Sequence, residues 1–67
     1  MTNAERLKEC IKEKGLKYNY IAKQIGLSYY GLQKKINNKT EFKVSEMEAI
    51  CLILGIDDIE KRAIFFN

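Results

Sequence analysis

The sequence contains no histidine, no proline and only two cysteines. Without histidine, the chain lacks the residue that most often serves as a general base and as a metal ligand. The two thiols, Cys10 and Cys51, cannot complete the four-ligand set of a structural zinc site. No glycine-rich phosphate-binding loop occurs, and the acidic residues stand where helix caps and solvated helix faces account for them. We therefore expect no enzymatic activity, no metal and no cofactor.

Long apolar runs are also missing. No stretch of about 18 apolar residues exists to cross a membrane, and residues 1–6 lack the basic start and apolar run of a secretion signal. A cytoplasmic location is therefore expected, in which Cys10 and Cys51 are reduced and buried; a disulfide between them is the alternative. With 67 residues, 46% of them apolar and 31% charged, the chain is expected to form a single globular domain, residues 1–67.

Acidic residues are absent from residues 14–40, which we call the acid-free segment. It contains six lysines and all four tyrosines, whereas the rest of the chain carries six basic and nine acidic residues. The net charge of +3 therefore understates a strong local excess of positive charge. Such an excess favours a polyanionic partner, and the segment is predicted to bind nucleic acid.

The spacing of apolar residues predicts five helices and no strand. Gly15, Gly26 and Gly55 can adopt a left-handed conformation and are expected to end three of the helices. Capping chemistry is expected to begin helices at Thr2, Ser28, Ser45 and Asp57. The side chains expected to face the core are Leu7, Cys10, Ile11, Ile21, Ala22, Ile25, Leu32, Ile36, Phe42, Val44, Met47, Ile50, Cys51, Leu54, Ile59, Ala63 and Ile64.

Residues 17–37 have the pattern of a helix-turn-helix, in which two short helices meet at a glycine. The first of these helices is expected over 17–25 and the second over 29–37. Ala22 is small because the two helices cross closely at that point. Gly26 allows the sharp turn between them.

The segment Ile21-Ala22-Lys23-Gln24-Ile25-Gly26-Leu27-Ser28, followed by Leu32, resembles the helix-turn-helix of the phage Cro and repressor family. A second stretch, from Lys34 to Phe42 and then from Ser45 to Ile56, is similar to a branch of small regulators from phages and other mobile elements. The resemblance covers roughly residues 4–59. It implies an all-α, five-helix fold of the lambda-repressor type, sequence-specific binding of double-stranded DNA, and usually a dimer.

The outward face of the third helix, opposite Leu32 and Ile36, is expected to enter the major groove. The base-contacting candidates on this face are Tyr29, Tyr30, Gln33 and Lys34, and the family motif also favours Tyr29, Tyr30 and Lys34. Lys34 can donate to guanine, Gln33 can form paired hydrogen bonds with adenine, and Tyr30 can pack on a thymine methyl or bond a phosphate. The alternatives are partial burial for Tyr29 and a solvated charge for Lys34.

Phosphate contacts are expected from side chains that flank the third helix, because a flexible ammonium suits a diffuse negative surface. The candidates are Lys17, Lys23, Ser28, Lys35, Asn37, Asn38 and Lys39. Many members of the family begin the second helix with a Thr-Gln pair that fixes a phosphate. Lys17 and Tyr18 stand there in this chain, so Lys17 is expected to replace that contact by its charge.

Gly31 lies inside the third helix, where glycine costs about 1 kcal/mol relative to alanine. One interpretation is that it leaves room for the duplex backbone or a thymine methyl to approach. Simple sequence drift is the other interpretation, and the sequence does not decide between them.

The fourth helix is apolar on its far side as well, at Ala49, Leu52 and Ile53, and Ile64, Phe65 and Phe66 follow near the end of the chain. Either the fifth helix folds back to cover this surface, or two copies bury it in a two-fold dimer. The expected dimer interface consists of Leu52, Ile53, Ile64, Phe65 and Phe66. Such a dimer would hold its recognition helices about 34 Å apart and prefer a palindromic operator.

The sequence therefore predicts a DNA-binding transcriptional regulator of the repressor or Cro type, with double-stranded DNA as its partner and no small-molecule ligand. The alternative function is a protein-interaction module, such as an anti-repressor or antitoxin component, that uses the apolar C-terminal surface. Binding of the basic stretch to a membrane surface is a weaker third option, because buried apolar positions interrupt its lysines.

Overall fold

Five α-helices form the fold in the computed structural model, which describes residues 1–66 and confirms the predicted all-α class. In chain order they are α1 (Ala4–Lys14), α2 (Tyr18–Gln24), α3 (Tyr29–Ile36), α4 (Val44–Leu54) and α5 (Asp58–Phe65). No strand occurs within residues 1–66. None of the five helices is long and apolar enough to span a membrane.

Several helix ends follow the local signals in the sequence. Gly15 after α1 and Gly55 after α4 have positive φ angles of 74° and 67°, as predicted for residues that end a helix. Asp57 caps α5, because its side chain accepts a hydrogen bond from the backbone N–H of Glu60 at 2.8 Å. These three predicted boundaries are confirmed.

Two predicted helix starts are wrong. The N-cap of α1 is Asn3, whose side-chain oxygen accepts from the backbone N–H three residues on, and not Thr2. α4 begins two residues before the expected point, with Lys43 as N-cap and the Glu46 carboxylate accepting from the Lys43 N–H at 2.8 Å. Ser45 therefore lies inside the helix. At α1, Asn3 stands next to Thr2 and has the same capping chemistry, so local spacing does not distinguish them. At α4, the carboxylate of Glu46 supplies the cap three residues after Lys43, although the Lys43 side chain cannot accept a hydrogen bond.

The hydrophobic core draws on all five helices and on one connection. Its buried members are Leu7, Ile11, Ile21, Ala22, Leu32, Ile36, Phe42, Ile50, Leu54, Ile64 and Phe65. Phe42, between α3 and α4, faces the core as predicted and packs edge-on against Phe65 of α5 with ring centroids 5.4 Å apart. Val44, Ile59 and Ala63 were expected to face inward but are exposed, because the observed helix phases turn them outward.

The residues at the start of the chain hold α5 against α1. The Asn3 N–H donates to the carbonyl of Ile64 at 2.6 Å. Arg6 forms two hydrogen bonds, at 2.6 and 2.8 Å, with the carboxylate of Glu60. α5 thus folds back onto the core and buries its own Ile64 and Phe65.

The two cysteines are free thiols. Cys10 on α1 and Cys51 on α4 pack against the core but are only partly buried. Burial raises the pKa of both thiols, so neither has the character of a reactive thiolate near neutral pH.

Candidate nucleic-acid interface

The turn between α2 and α3 sets the angle between the two helices. Gly26 has a φ of 78°, a left-handed conformation that favours glycine. The Leu27 N–H donates to the Ala22 carbonyl at 2.8 Å and the Gly26 N–H donates to the Lys23 carbonyl at 3.3 Å, which closes the end of α2. Ala22 is buried, and α2 packs closely against α3. The segment predicted to be a helix-turn-helix has that geometry.

One side of α3 faces the core and the other faces solvent. Leu32 and Ile36 are fully buried. Tyr30 is 77% exposed and Tyr29 is 51% exposed, while Lys34 is exposed and Gln33 is partly exposed. The structure therefore brings the four base-contacting candidates together on the accessible part of α3, with Tyr29 and Gln33 nearer its edges.

The capping of α3 gives a reason for the glycine at position 31, which the sequence alone did not explain. Ser28 caps the helix as predicted, with its Oγ accepting from the Gly31 N–H at 3.0 Å. A Cβ on Gly31 would lie only 3.2 Å from that Oγ and 4.0 Å from the Cβ of Leu27. Gly31 thus leaves space for the capping hydroxyl, a reason that sequence reasoning missed. The Ser28 hydroxyl keeps its own proton available to a phosphate.

The structure argues against the predicted phosphate contact of Lys35, because this side chain is paired inside the protein. Its Nζ lies 2.6 Å from Oε1 of Glu46, and the two side chains are 13% and 9% exposed. Burial alone would raise the pKa of Glu46, but hydrogen bonds from Lys35 and from the Lys43 N–H, with the charges of both lysines, hold that pKa below its ordinary value. Lys35 therefore joins α3 to α4.

Asn38 uses its side chain for a contact within the protein, and its phosphate contact stays a prediction. Its Oδ1 accepts from the Thr2 N–H and its Nδ2 donates to the Thr2 carbonyl, both at 2.9 Å. The φ of Asn38 is 63°, the left-handed region in which asparagine is tolerated. Both ends of the amide have a partner within the protein, and a second Nδ2 hydrogen stays available.

The other phosphate candidates remain accessible. Lys17, Lys23, Asn37 and Lys39 are all exposed. Lys17 is the N-cap residue of α2, and the three ion pairs found within residues 1–66 do not include it. Its ammonium is therefore available to an external anion at the point where α2 begins.

Sequence reasoning missed two exposed polar residues on α2. Tyr20, 49% exposed, and Gln24, also exposed, lie one turn apart on α2. The signal was present, because both belong to the acid-free segment and neither falls on the apolar stripe of the helix. They add two exposed side chains of α2 to the polar residues of the acid-free segment.

The apolar C-terminal surface is smaller than predicted. Ile64 and Phe65 are buried in the core of their own chain, so their assignment to a dimer interface is wrong. Leu52 and Phe66 remain 85% and 60% exposed, and Ile53 is partly buried against the core. Folding back of α5 therefore covers only part of the apolar surface.

A family model described as Cro/C1-type HTH DNA-binding domain matches residues 6–60. The matched region contains the whole of α2, the turn and α3, and it confirms the resemblance inferred from the sequence. No curated protein and no solved structure shows a significant match to the chain.

Proposed function

The chain belongs to the Cro/C1-type family of helix-turn-helix DNA-binding domains, and we propose that it is a sequence-specific transcriptional regulator, a repressor or Cro-like protein of a phage or mobile element. The observation that supports this most is the accessible side of α3, where Tyr29, Tyr30 and Lys34 are exposed within the acid-free segment. An α-helix fits the major groove, where each base pair presents a distinct pattern of donors and acceptors.

In this proposal α3 reads the bases. Lys34 donates to guanine acceptors, Gln33 forms paired hydrogen bonds with adenine, and Tyr29 and Tyr30 pack on thymine methyl groups or bond the backbone. The exposure of these side chains supports the assignment, since none of them has to leave a buried contact to reach a groove. Ser28 and Asn37, the N-cap and C-cap residues of α3, contact phosphates in this proposal.

Four exposed lysines of the acid-free segment are proposed to contact DNA: Lys17, Lys23, Lys34 and Lys39. Each phosphate neutralised contributes about −0.9 to the slope of the logarithm of the binding constant against the logarithm of salt concentration. We therefore expect a slope no steeper than about −3.6 per chain on duplex DNA of mixed sequence. A fifth contact from Lys35 would bring the slope to about −4.5, so the measurement also tests the pairing of that residue.

The test of sequence reading is selection of bound sites from a random duplex library, followed by titration of lysine variants. Lys34→Ala should weaken binding to selected sites by roughly 1 to 3 kcal/mol and affect mixed-sequence DNA much less. Lys39→Ala should weaken binding to both DNAs similarly. Lys8→Ala, which removes an exposed lysine of α1 outside the acid-free segment, is the matched control and should change neither. Equal losses on both DNAs for Lys34→Ala would refute its role in reading bases.

We also propose a two-fold homodimer that buries Leu52 and Phe66, with Ile53 behind them. Two large, exposed apolar side chains support this, because a second copy would remove them from water. The dimer would prefer a palindromic operator with half-sites about 34 Å apart. Leu52→Glu should hold the protein as a monomer in analytical ultracentrifugation, whereas Val44→Glu, at another exposed apolar position, should not. A wild-type protein that remains monomeric at high concentration and on DNA would exclude the dimer.

A protein-interaction module is the second candidate function, and the exposure of Leu52 and Phe66 favours it as well. Salt separates the two functions. Binding to DNA must weaken steeply as salt rises because counterions are released from the phosphates, whereas an apolar protein contact changes little. Wild-type protein without salt-dependent DNA binding would support the interaction module.

A further inference from the structure

Two hydrogen bonds connect the turn after α3, the proposed recognition helix, to the start of the chain. The Thr2 N–H donates to Oδ1 of Asn38 and Nδ2 of Asn38 donates to the Thr2 carbonyl, both at 2.9 Å; we call this pair the clasp. Thr2 is buried, and the next residue, Asn3, donates its N–H to the Ile64 carbonyl at 2.6 Å. The clasp therefore fixes the turn after α3 to a segment that is itself held by α5.

The turn held by the clasp carries Lys39. The Asn38 N–H donates to the Lys35 carbonyl at 3.2 Å and the Lys39 N–H donates to the Lys34 carbonyl at 2.8 Å. These bonds end α3 with Asn38 in the left-handed conformation. Glycine is the usual residue at such a position, because it has no Cβ. Asparagine tolerates the same backbone and adds a side chain that reaches Thr2. The backbone of the turn alone does not require that side chain.

Lys39 itself is free to act outside the protein. Its side chain is exposed, and the three ion pairs found within residues 1–66 do not include it. A lysine side chain is long and flexible, so ordering it on one phosphate has an entropic cost. That cost is lower if the backbone from which the side chain starts is already fixed.

We propose that Asn38 is a positioning residue for DNA binding: the clasp fixes the turn so that Lys39 reaches a phosphate, while Asn38 itself does not touch DNA. This inference rests on the proposed function. It assigns to Lys39, just after α3, a phosphate contact whose geometry depends on Thr2, near the start of the chain.

Two variants remove the clasp in different ways. Asn38→Gly keeps a residue suited to the left-handed turn and removes the side chain, whereas deletion of residues 1–2 keeps Asn38 and removes its partner. Both are compared with the wild type and with Lys39→Ala on one short duplex of mixed sequence, because phosphate contacts carry no sequence information. Titrations at several salt concentrations are made at a temperature where circular dichroism shows every variant to be folded.

We expect both clasp variants to bind roughly tenfold more weakly at low salt and to lower the magnitude of the salt slope by about one, as Lys39→Ala does. In the Lys39→Ala background, neither clasp variant should weaken binding further, because the side chain that the clasp positions is gone. This non-additivity and the change of slope are results that a loss of stability alone would not produce.

Other outcomes overturn the inference. If Asn38 contacts a phosphate directly, Asn38→Gly weakens binding, the deletion does not, and the slope is unchanged because an amide is neutral. If the clasp only stabilises the fold, both variants lower the midpoint of thermal unfolding and leave affinity and slope unchanged. The proposed function survives either result. A wild-type protein that shows no salt-dependent duplex binding overturns the proposed function and the role of the clasp together.

Discussion

Replacing Glu46 with glutamine removes one negative charge from the contact between α3 and α4 and keeps the size of the side chain. In the wild type, Oε1 of Glu46 accepts from Nζ of Lys35 at 2.6 Å and from the Lys43 N–H at 2.8 Å. Glutamine retains an oxygen that can accept both bonds, but the bond from Lys35 is no longer one between opposite charges. Charge-assisted hydrogen bonds are roughly twice as strong as neutral ones.

The exposed fractions of the two side chains decide the magnitude. Breaking a fully buried pair costs about 3 to 5 kcal/mol, while an exposed pair contributes about 0 to 1 kcal/mol. At 13% and 9% exposure, Lys35 and Glu46 lie close to the buried limit. Because glutamine preserves part of the contact, we expect Glu46→Gln to lower the free energy of unfolding by about 2 kcal/mol. In a domain of this size that corresponds to a thermal midpoint about 8 to 16 °C lower.

The effect should depend on pH in the direction set by the pKa of Glu46. The folded protein holds this pKa below its ordinary value. The carboxylate therefore stabilises the fold fully above about pH 4.3, the ordinary value in an unfolded chain, and this stabilisation is lost as pH falls through the lower, folded value. The difference between wild type and Glu46→Gln should stay constant from neutral pH down to about pH 4.3 and shrink at lower pH.

Thermal unfolding followed by circular dichroism measures both effects. Glu48→Gln is the matched control: Glu48 pairs with Lys61, but its side chain is 63% exposed, so its midpoint should stay close to that of the wild type. Equal midpoints for wild type and Glu46→Gln at neutral pH would refute the role of the pair in holding α3 on α4. A difference that stays constant into acid would refute the pKa assignment.

Three further predictions concern the helix-turn-helix. Lys35→Ala should lower the thermal midpoint, while the salt slope of DNA binding stays that of the wild type. A slope smaller in magnitude by about one would show that Lys35 does contact a phosphate. Gly26→Ala should lower the free energy of unfolding by about 1 to 2 kcal/mol, measured by chemical denaturation, because φ at this position is 78°. By the same assay, Gly31→Ala should stabilise a Ser28→Ala background by about 1 kcal/mol and the wild type by less, because the added Cβ meets the capping hydroxyl.

Local signals in the sequence predicted much of the backbone. Gly15, Gly26 and Gly55 mark helix ends because tolerance of a left-handed conformation belongs to the residue itself. Leu32 and Ile36, one turn apart, define the buried side of α3, and the exposure of its other side follows from helix geometry alone. This is why the accessible base-contacting candidates could be named without a structure.

Long-range polar contacts could not be predicted in the same way. Lys34 and Lys35 are adjacent and chemically identical, and only the fold pairs Lys35 with Glu46, eleven residues away. Asn38 meets the backbone of Thr2 across 36 residues of sequence. The apolar residues near the end of the chain present the same ambiguity, since composition does not show whether they cover their own core or that of a partner.

Charge along the chain and charge on the surface differ in this protein. The acid-free segment contains six lysines, yet Lys35 is paired with Glu46, which lies outside the segment in sequence and beside it in space. Lys14 lies beside Gly55, at the end of α4. The four other lysines belong to α2, α3 and the adjoining turns, and each can bind a phosphate without first breaking an internal ion pair. The pair between Lys35 and Glu46 joins α3 to α4, while the adjacent Lys34 is exposed. Of these two neighbouring lysines, only Lys34 can therefore meet a phosphate or a base without first giving up an ion pair.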